Sequence, residues 1–350
     1  MRFAFTEDQL AFAAGVRAVL ADWCPPSAVR SAWNRDAGPA AELWTRLADL
    51  GLLGALVPEN RGGLGLDELD ILLGLEESGR VAAAVPLVET AVVAARLLAR
   101  TPHADRLTAL AGGQLRVSAT LDGSSLLPWA GFCDWALVGD ATAVYLLPVG
   151  DCAIEPLPAV DRARPLARIG APPGAAGSSG VTRASAYLVS DDPRRIGPAR
   201  RAGTLATAAQ LIGLAERMLS MAVGYVKDRH QFGVPIGSFQ AVKHALADAL
   251  VALELARPLV YSAAWAHARG RDSADRDVAA AKVRAGEAAG LVARTALQAH
   301  GGMGYTQEHD LHLWLKRTWA LQASWGRPGE LRAQVAESLG LSSPGIRRRA

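Results

Sequence analysis

The stretch "RHQFGVPIGSFQAVKH" (Arg229–His244) separates the two longest helical runs of the chain, and its reading decides the fold. Ahead of it, "TLATAAQLIGLAERMLSMAVGYVKDR" (Thr204–Arg229) is long and rich in strong helix formers. Behind it a second helix is expected from about Phe239 to Ala268, with Pro258 a possible kink. Arg229, Gln231, Gln240 and the backbone around Gly233 can grip a phosphate or an amide-bearing ring. The plain alternative is an ordinary interhelical loop.

Further along, a third helix covers about Asp275 to Gly301, and "QAHGGMGYTQEHDLHLWLKR" (Gln298–Arg317) follows. Gly301 and Gly302 allow close backbone approach to a ligand, and a glycine C-cap explains them equally well. Long helices joined by short loops predict a helical bundle over 194–350. The small residues Ala206, Ala208, Ala209 and Gly213 either open a wide pocket or permit close helix packing. Residues 1–112 also read as helices. Thr6 and Asp67 are the expected N-caps, Gly51 and Gly54 the stops, and "PLVETAVVAARLLAR" a fourth helix. Between them, 113–193 carries β-prone runs, "RVSAT", "WALVGD", "AVYLLPV" and "ASAYLV", with "GAPPGAAGSSG" as a flexible loop. The fold class is α+β: an N-terminal helical domain, a small middle β-domain and a C-terminal four-helix bundle.

Composition narrows the function. Half of the 350 residues are hydrophobic, a fifth are charged, and the net charge is +3, which is globular and nearly balanced. The arginines are scattered, and Arg347, Arg348 and Arg349 form only a short basic tail, so no nucleic-acid partner is expected. Cys24, Cys133 and Cys152 are odd in number and lack metal-ligand spacing, which points to a reducing cytoplasm and no metal. The N-terminus has acids where a signal peptide would be apolar, and no run of ~18 uninterrupted apolar residues predicts a membrane span.

Taken together, "RxQFGxPIxxFQ" and, some sixty residues later, "QxxGGxGYTxE" resemble the acyl-CoA dehydrogenase family. "LADLGLLGALVPENRGGLGLDELDILLGLEESGR" is similar to that family's early helices and loop, so the resemblance spans all three regions. It implies FAD bound across a subunit interface, α,β-dehydrogenation of an acyl-CoA thioester, and electrons passed to an electron-transferring flavoprotein. In such chemistry a carboxylate takes the α-proton while flavin N5 accepts the β-hydride. The matching cofactor-binding positions are Arg229, Gln231, Phe232 and Gln240 in the first loop, and Gln298, Gly301 and Gly302 in the second. In the family these reach the FAD bound mainly by the neighbouring chain.

The departures from that pattern are directional. Most members carry the base as a Glu about twenty-four residues after the first glycine of the pair. That count arrives here at Trp325, in "SWGRPGE", with Arg327 and Gly329 where polar flavin contacts would stand. A minority carry the base about twenty-six residues before the Arg229 position. Here that residue is Gly203, followed by Thr204 where an Arg is usual. Both base positions are empty. In the β-domain the flavin-facing signature survives only as "SATLDGSS" (Ser118–Ser125), with Leu121 replacing a Glu, and the strand that presents Trp and Thr to the ring has no convincing counterpart.

Groups lent to a neighbour's FAD are thus kept, and groups serving the chain's own flavin and substrate are lost. This pattern resembles the short base-less subunits of actinobacterial heteromeric acyl-CoA dehydrogenases, which act on CoA thioesters of steroid side chains or rings. It implies a homologous base-bearing subunit as partner. Two alternatives stand beside it. One is a self-sufficient homo-oligomeric enzyme with a base relocated to Glu216, Glu254, Glu308 or Asp310, or with His300 and His309 as proton carriers. The other is a flavin-free scaffold.

Overall fold

The computed structural model describes residues 4–99, 101–170 and 187–341. Most of "GAPPGAAGSSG", the start of "ASAYLV" and the Arg347–Arg349 tail lie outside them.

Local signals set the N-terminal helices. α1 (Glu7–Trp23) starts at Thr6, whose hydroxyl accepts from Gln9 N while the Gln9 side chain reaches back to the Thr6 N–H. α2 (Pro26–Trp33), which the sequence pattern did not suggest, starts on a proline at its first position. α3 (Gly38–Asp49) ends before Gly51, whose φ of 87° is open to glycine. α4 (Glu68–Arg80) is capped by Asp67, as expected, through Leu69 N and Asp70 N. The expected fourth helix is π-helical over Val88–Ala94 and continues as α5 (Ala95–Leu98), with α6 (Leu107–Ala111) after it.

The β region is fuller than its sequence suggests. β1 (Val117–Thr120), β3 (Trp135–Gly139), β4 (Val144–Pro148) and β7 (Leu188–Ser190) form one sheet in the order β1-β3-β4-β7, with β1 and β3 parallel. β2 (Leu126–Pro128), β6 (Leu166–Ile169) and β5 (Ile154–Leu157) form a second, antiparallel sheet that was not anticipated. These strands are only three or four residues long, and β2 and β5 each carry a proline, so no alternating pattern announces them. Leu127, Ala136, Val138, Leu147 and Ile169 form the apolar core between the sheets.

Helices then return, and the first begins ahead of the Thr204 stretch. α7 (Pro193–Asp228) is capped by Asp192, which accepts from Arg194 N, with proline at its first position. β8 (His230–Gln231) and β9 (Val234–Pro235) make a hairpin, followed by α8 (Gln240–Ala268), α9 (Ala274–His300), α10 (Leu311–Ala323) and α11 (Pro328–Ser338). α7 is the central rod, packed on α4, α8, α9 and α10. A single apolar core runs from the N-terminal helices through this bundle.

The small residues of α7 serve close packing. A Cβ on Gly213 would stand 1.9 Å from Glu76 O and 2.7 Å from Arg80 N, and one on Gly79 would stand 2.1 Å from Gln210 O. α4 and α7 therefore cross with their backbones in contact. Ala206, Ala208 and Ala209 are buried beside that crossing. An ion-pair cluster staples its edge: Glu76 binds Arg257 and Tyr261, while Glu216 binds Arg80 at 2.6 Å and Arg257 at 2.9 Å.

α8 is more apolar than its interrupted runs suggest. By length and mean hydropathy it is apolar enough to cross a membrane, although only 39% of that window is buried. Its apolar surplus lies partly on an open stripe, Val251, Leu255 and Leu259 at helical spacing, with Leu250 beside it.

Gly213→Ala is expected to cost about 1–3 kcal/mol, because a methyl group has no space between two backbones. Urea unfolding of the purified chain checks this, and an unchanged midpoint would refute the backbone contact.

Candidate functional site

A cleft of about 490 Å³ opens between the β-domain and the bundle. Its β-side wall is the end of β1 and the turn after it. Thr120 Oγ1 donates to Asp122 Oδ1 at 2.9 Å, and Ser124 N donates to the same oxygen at 3.0 Å. Burial opposes ionisation of Asp122, but these hydrogen bonds outweigh it and hold the carboxyl below its ordinary range. Leu121, at the position of the expected Glu, is buried in the core. The helical wall comprises Arg200, Arg201 and Thr204 of α7, Asp275 and Ala279 of α9, and the turn Ser324–Arg327.

Gly203 and Trp325, the residues at the two expected base positions, meet at the back of this cleft. The indole of Trp325 lies on Gly203, where an added Cβ would stand 2.6 Å from Cε3 and 2.7 Å from Cδ2. Thr204 Oγ1 donates to Trp325 O at 2.9 Å. Trp325 has φ 54° and Gly326 φ 108°, so the turn is left-handed at a residue with a large side chain. Such a conformation costs roughly 1–2 kcal/mol at a non-glycine residue, so the surroundings must hold it.

Behind Trp325 lies a small buried polar cluster that the sequence reading missed. The π-helical segment turns Glu89 inward, where it accepts from Trp129 Nε1 at 3.0 Å and from Arg164 Nη2 at 3.1 Å. Beside it, Arg317 pairs with Asp161 through Nε and donates from Nη1 to Ala83 O at 2.7 Å. Its Nη2 is buried with no partner among the described residues. The space left there is about 10 Å³, room for about one water. Trp325 and Arg164 line both this space and the cleft, and so divide them. The available signal was an acid, Glu89, inside the apolar run "PLVETAVV".

The seven residues expected to serve a cofactor stand elsewhere. None of Arg229, Gln231, Phe232, Gln240, Gln298, Gly301 and Gly302 lines the cleft, and all are exposed. The β8–β9 turn has positive φ at both central residues, Phe232 (53°) and Gly233 (79°), which leaves the Phe232 side chain 93% exposed. Gly301 is both the C-cap of α9, at φ 58°, and an open site, since nothing lies within 4 Å of a Cβ built on it or on Gly302.

His300 Nδ1 donates to Ala296 O at 2.7 Å, and the ring stacks on Tyr225. Burial pushes its pKa down. His309 accepts from Leu311 N and so caps α10. Arg30 ties this second loop to α2 through Gln307 O, Glu308 O and the Asp310 carboxylate. The four relocated-base candidates do not line the cleft. Glu216 and Glu254 belong to the Arg257 cluster, and Glu308 and Asp310 belong to the Arg30 loop.

An α–β–α chain with a cleft between its β-domain and its bundle, and a second polar surface at two interhelical loops, defines the class. Residues 6–104 match the acyl-CoA dehydrogenase N-terminal domain and residues 201–340 match the C-terminal domain. The chain belongs to the acyl-CoA dehydrogenase family. It is 34% identical over 311 residues to acyl-CoA dehydrogenase IpdE2 of Mycobacterium tuberculosis, covering 86% of this chain and 88% of that one. The ChsE4-ChsE5 complex from Mycobacterium tuberculosis is similar with a TM-score of 0.80 and 26% identity, covering 98% of this chain and 100% of the matched chain. A solved structure of PigA with FAD and proline shares the fold, with a TM-score of 0.84 at 20% identity over 97% of this chain and 100% of that one.

Gly203→Ala should destabilise the chain by about 1–3 kcal/mol through overpacking against the indole. In the double variant Gly203→Ala/Trp325→Ala that cost should largely vanish, giving a favourable coupling of about 0.5–3 kcal/mol. Additive losses in thermal or urea unfolding would show that the two side chains do not compete for one space.

Proposed function

We propose that this chain is the base-less subunit of a heteromeric acyl-CoA dehydrogenase. It supports FAD binding and the α,β-dehydrogenation of an acyl-CoA thioester, a steroid-derived one being the first to test, at a site whose base comes from a homologous partner chain. The observation that carries this reading is the indole of Trp325 lying on Gly203. One apolar ring fills the space that both base positions would use, so a carboxylate there has neither the side chain nor the room.

The acids that do line the cleft are engaged. Asp161 pairs with Arg317, Asp275 with Arg201 at 2.6 Å, and Asp122 with its own turn, while Glu330 accepts from Arg327 N at 3.3 Å. A proton-abstracting carboxylate must be desolvated and aimed at the substrate C–H, and none of these is free to be so aimed. This weighs against the self-sufficient enzyme.

The exposed loops fit a lending role toward FAD. Arg229 can neutralise the pyrophosphate and Phe232 can pack on the adenosine part, with Gln231, Gln240 and Gln298 as amide partners. Gly301 and Gly302 leave open space for a phosphate-bearing ligand to approach the backbone. When bound, FAD supplies the hydride acceptor. A scaffold with no cofactor has no use for these groups in this arrangement. The open apolar stripe on α8 supports burial against another chain. The ChsE4-ChsE5 complex supports a mixed pairing within this fold. The reading further takes the domains as 1–112, 113–193 and 194–350, the location as cytoplasmic, and an electron-transferring flavoprotein as the electron acceptor.

Purified alone, the chain is expected to hold little FAD and to show no dehydrogenase activity. Co-expression with a base-bearing homologue should restore both, read as flavin absorbance and its bleaching by acyl-CoA. A yellow homo-oligomer that bleaches by itself would overturn the proposal. Trp325→Glu alone should remain inactive, because Thr204 and the altered β1 turn persist, and robust turnover by that single variant without a partner would count equally against it.

A further inference from the structure

Lys282 has no role in the reading above, yet its setting is unusual. It lies on α9, 2% exposed, and no carboxylate pairs with it among the described residues. Its Nζ donates to Leu321 O at 3.0 Å, Ser324 O at 3.1 Å and, more weakly, Gln322 O at 3.4 Å. An ammonium has three protons, and these are three carbonyls at the end of α10, where backbone acceptors lack helical partners. The C-terminal end of a helix dipole also favours a cation. Desolvation opposes the charge and pushes the pKa down to about 7. Burying an amine this deeply is costly, so the geometry it enforces is the place to look for its use.

That geometry ends on Trp325. The three carbonyls, of Leu321, Gln322 and Ser324, lead into it, and the turn is further tied by Gln322 Nε2 to Gly286 O at 2.6 Å and by Thr204 Oγ1 to Trp325 O. Tethers from α7 and α9 therefore hold a residue in a left-handed conformation that its side chain disfavours. Without them the turn can relax, and the indole leaves Gly203. Because Trp325 is part of the wall between the 490 Å³ cleft and the buried Glu89–Arg317 cluster, its position sets how deep the cleft runs.

We propose that Lys282 is a positioning residue: by holding the last carbonyls of α10, it fixes the Trp325 indole as the back wall of the cleft. The inference rests on the geometry of one chain. It stands or falls independently of any base-bearing partner.

Fluorine NMR of the full chain labelled with fluorotryptophan tests it, with Trp325→Phe assigning the resonance. Lys282→Met removes the donors while keeping an unbranched apolar stem. It should shift the Trp325 signal and raise its sensitivity to solvent isotope. The signal of Trp314, whose Nε1 donates to Arg80 O at 2.8 Å, should stay in place. Lys282→Gln, which keeps two donors on a shorter arm, should give an intermediate shift. An unmoved Trp325 signal in Lys282→Met overturns the proposal. If neither variant folds, the unsubstituted chain decides. A single sharp Trp325 resonance is expected, and two exchanging resonances would mean the ring is not fixed.

Discussion

The constraint on which the structure depends is how closely other parts of the chain approach the backbone of α7. At Gly213 the helix meets the backbone of α4, and ten residues earlier, at Gly203, it meets a tryptophan ring. Neither approach tolerates a side chain on α7. The first fixes the N-terminal helices against the bundle and lets one apolar core run through both. The second fixes the back of the cleft. Because a rigid helix carries both contacts, the cleft wall is set by the same packing that joins the two helical regions.

The sequence was most legible where structure is local. Thr6 and Asp67 cap the helices they were expected to cap, and around "RHQFGVPIG" the end of α7 and both ends of α8 fall within a residue of expectation, whereas α7 begins at Pro193, well ahead of Thr204. Such features depend on residues three or four apart. β2, β5 and β6 were not legible, because strands this short form only when a neighbour supplies the ladder. The π-helical turn at Val88–Ala94 has the composition of an ordinary helix, and its difference lies in where Glu89 points. α8 shows the converse case. Its charged residues interrupted every apolar run, so an apolar stripe repeating on one face was not counted as continuous.

The candidate site divides along the same line. The two glycine-bearing loops could be read because their backbone demands are written in the sequence, and Gly233 and Gly301 do adopt positive φ. That Gly203 and Trp325 occupy one space could not be read, because they lie on different elements and are joined only by the packing of α10 on α7. Lys282 was hidden for a related reason. A lone lysine in "VAAAKVRAG" looks like a solvated helix position, and only the end of α10 arriving over it makes it a buried donor.

The physical separation of the two surfaces explains how one can persist while the other changes. The cleft and the loops around Gly233 and Gly301 share no residue, so substitutions in one leave the contacts of the other intact. Within the cleft the reverse holds. Gly203 is required by the Trp325 indole, the indole by the left-handed turn, and the turn by Thr204 and by the carbonyls at the end of α10 to which Lys282 donates. A carboxylate introduced at 203 would collide with the ring, and one introduced at 325 would leave a void facing Gly203 beside the orphan Arg317 Nη2. These residues thus support one another, and a change at one of them alone meets the packing of all the rest.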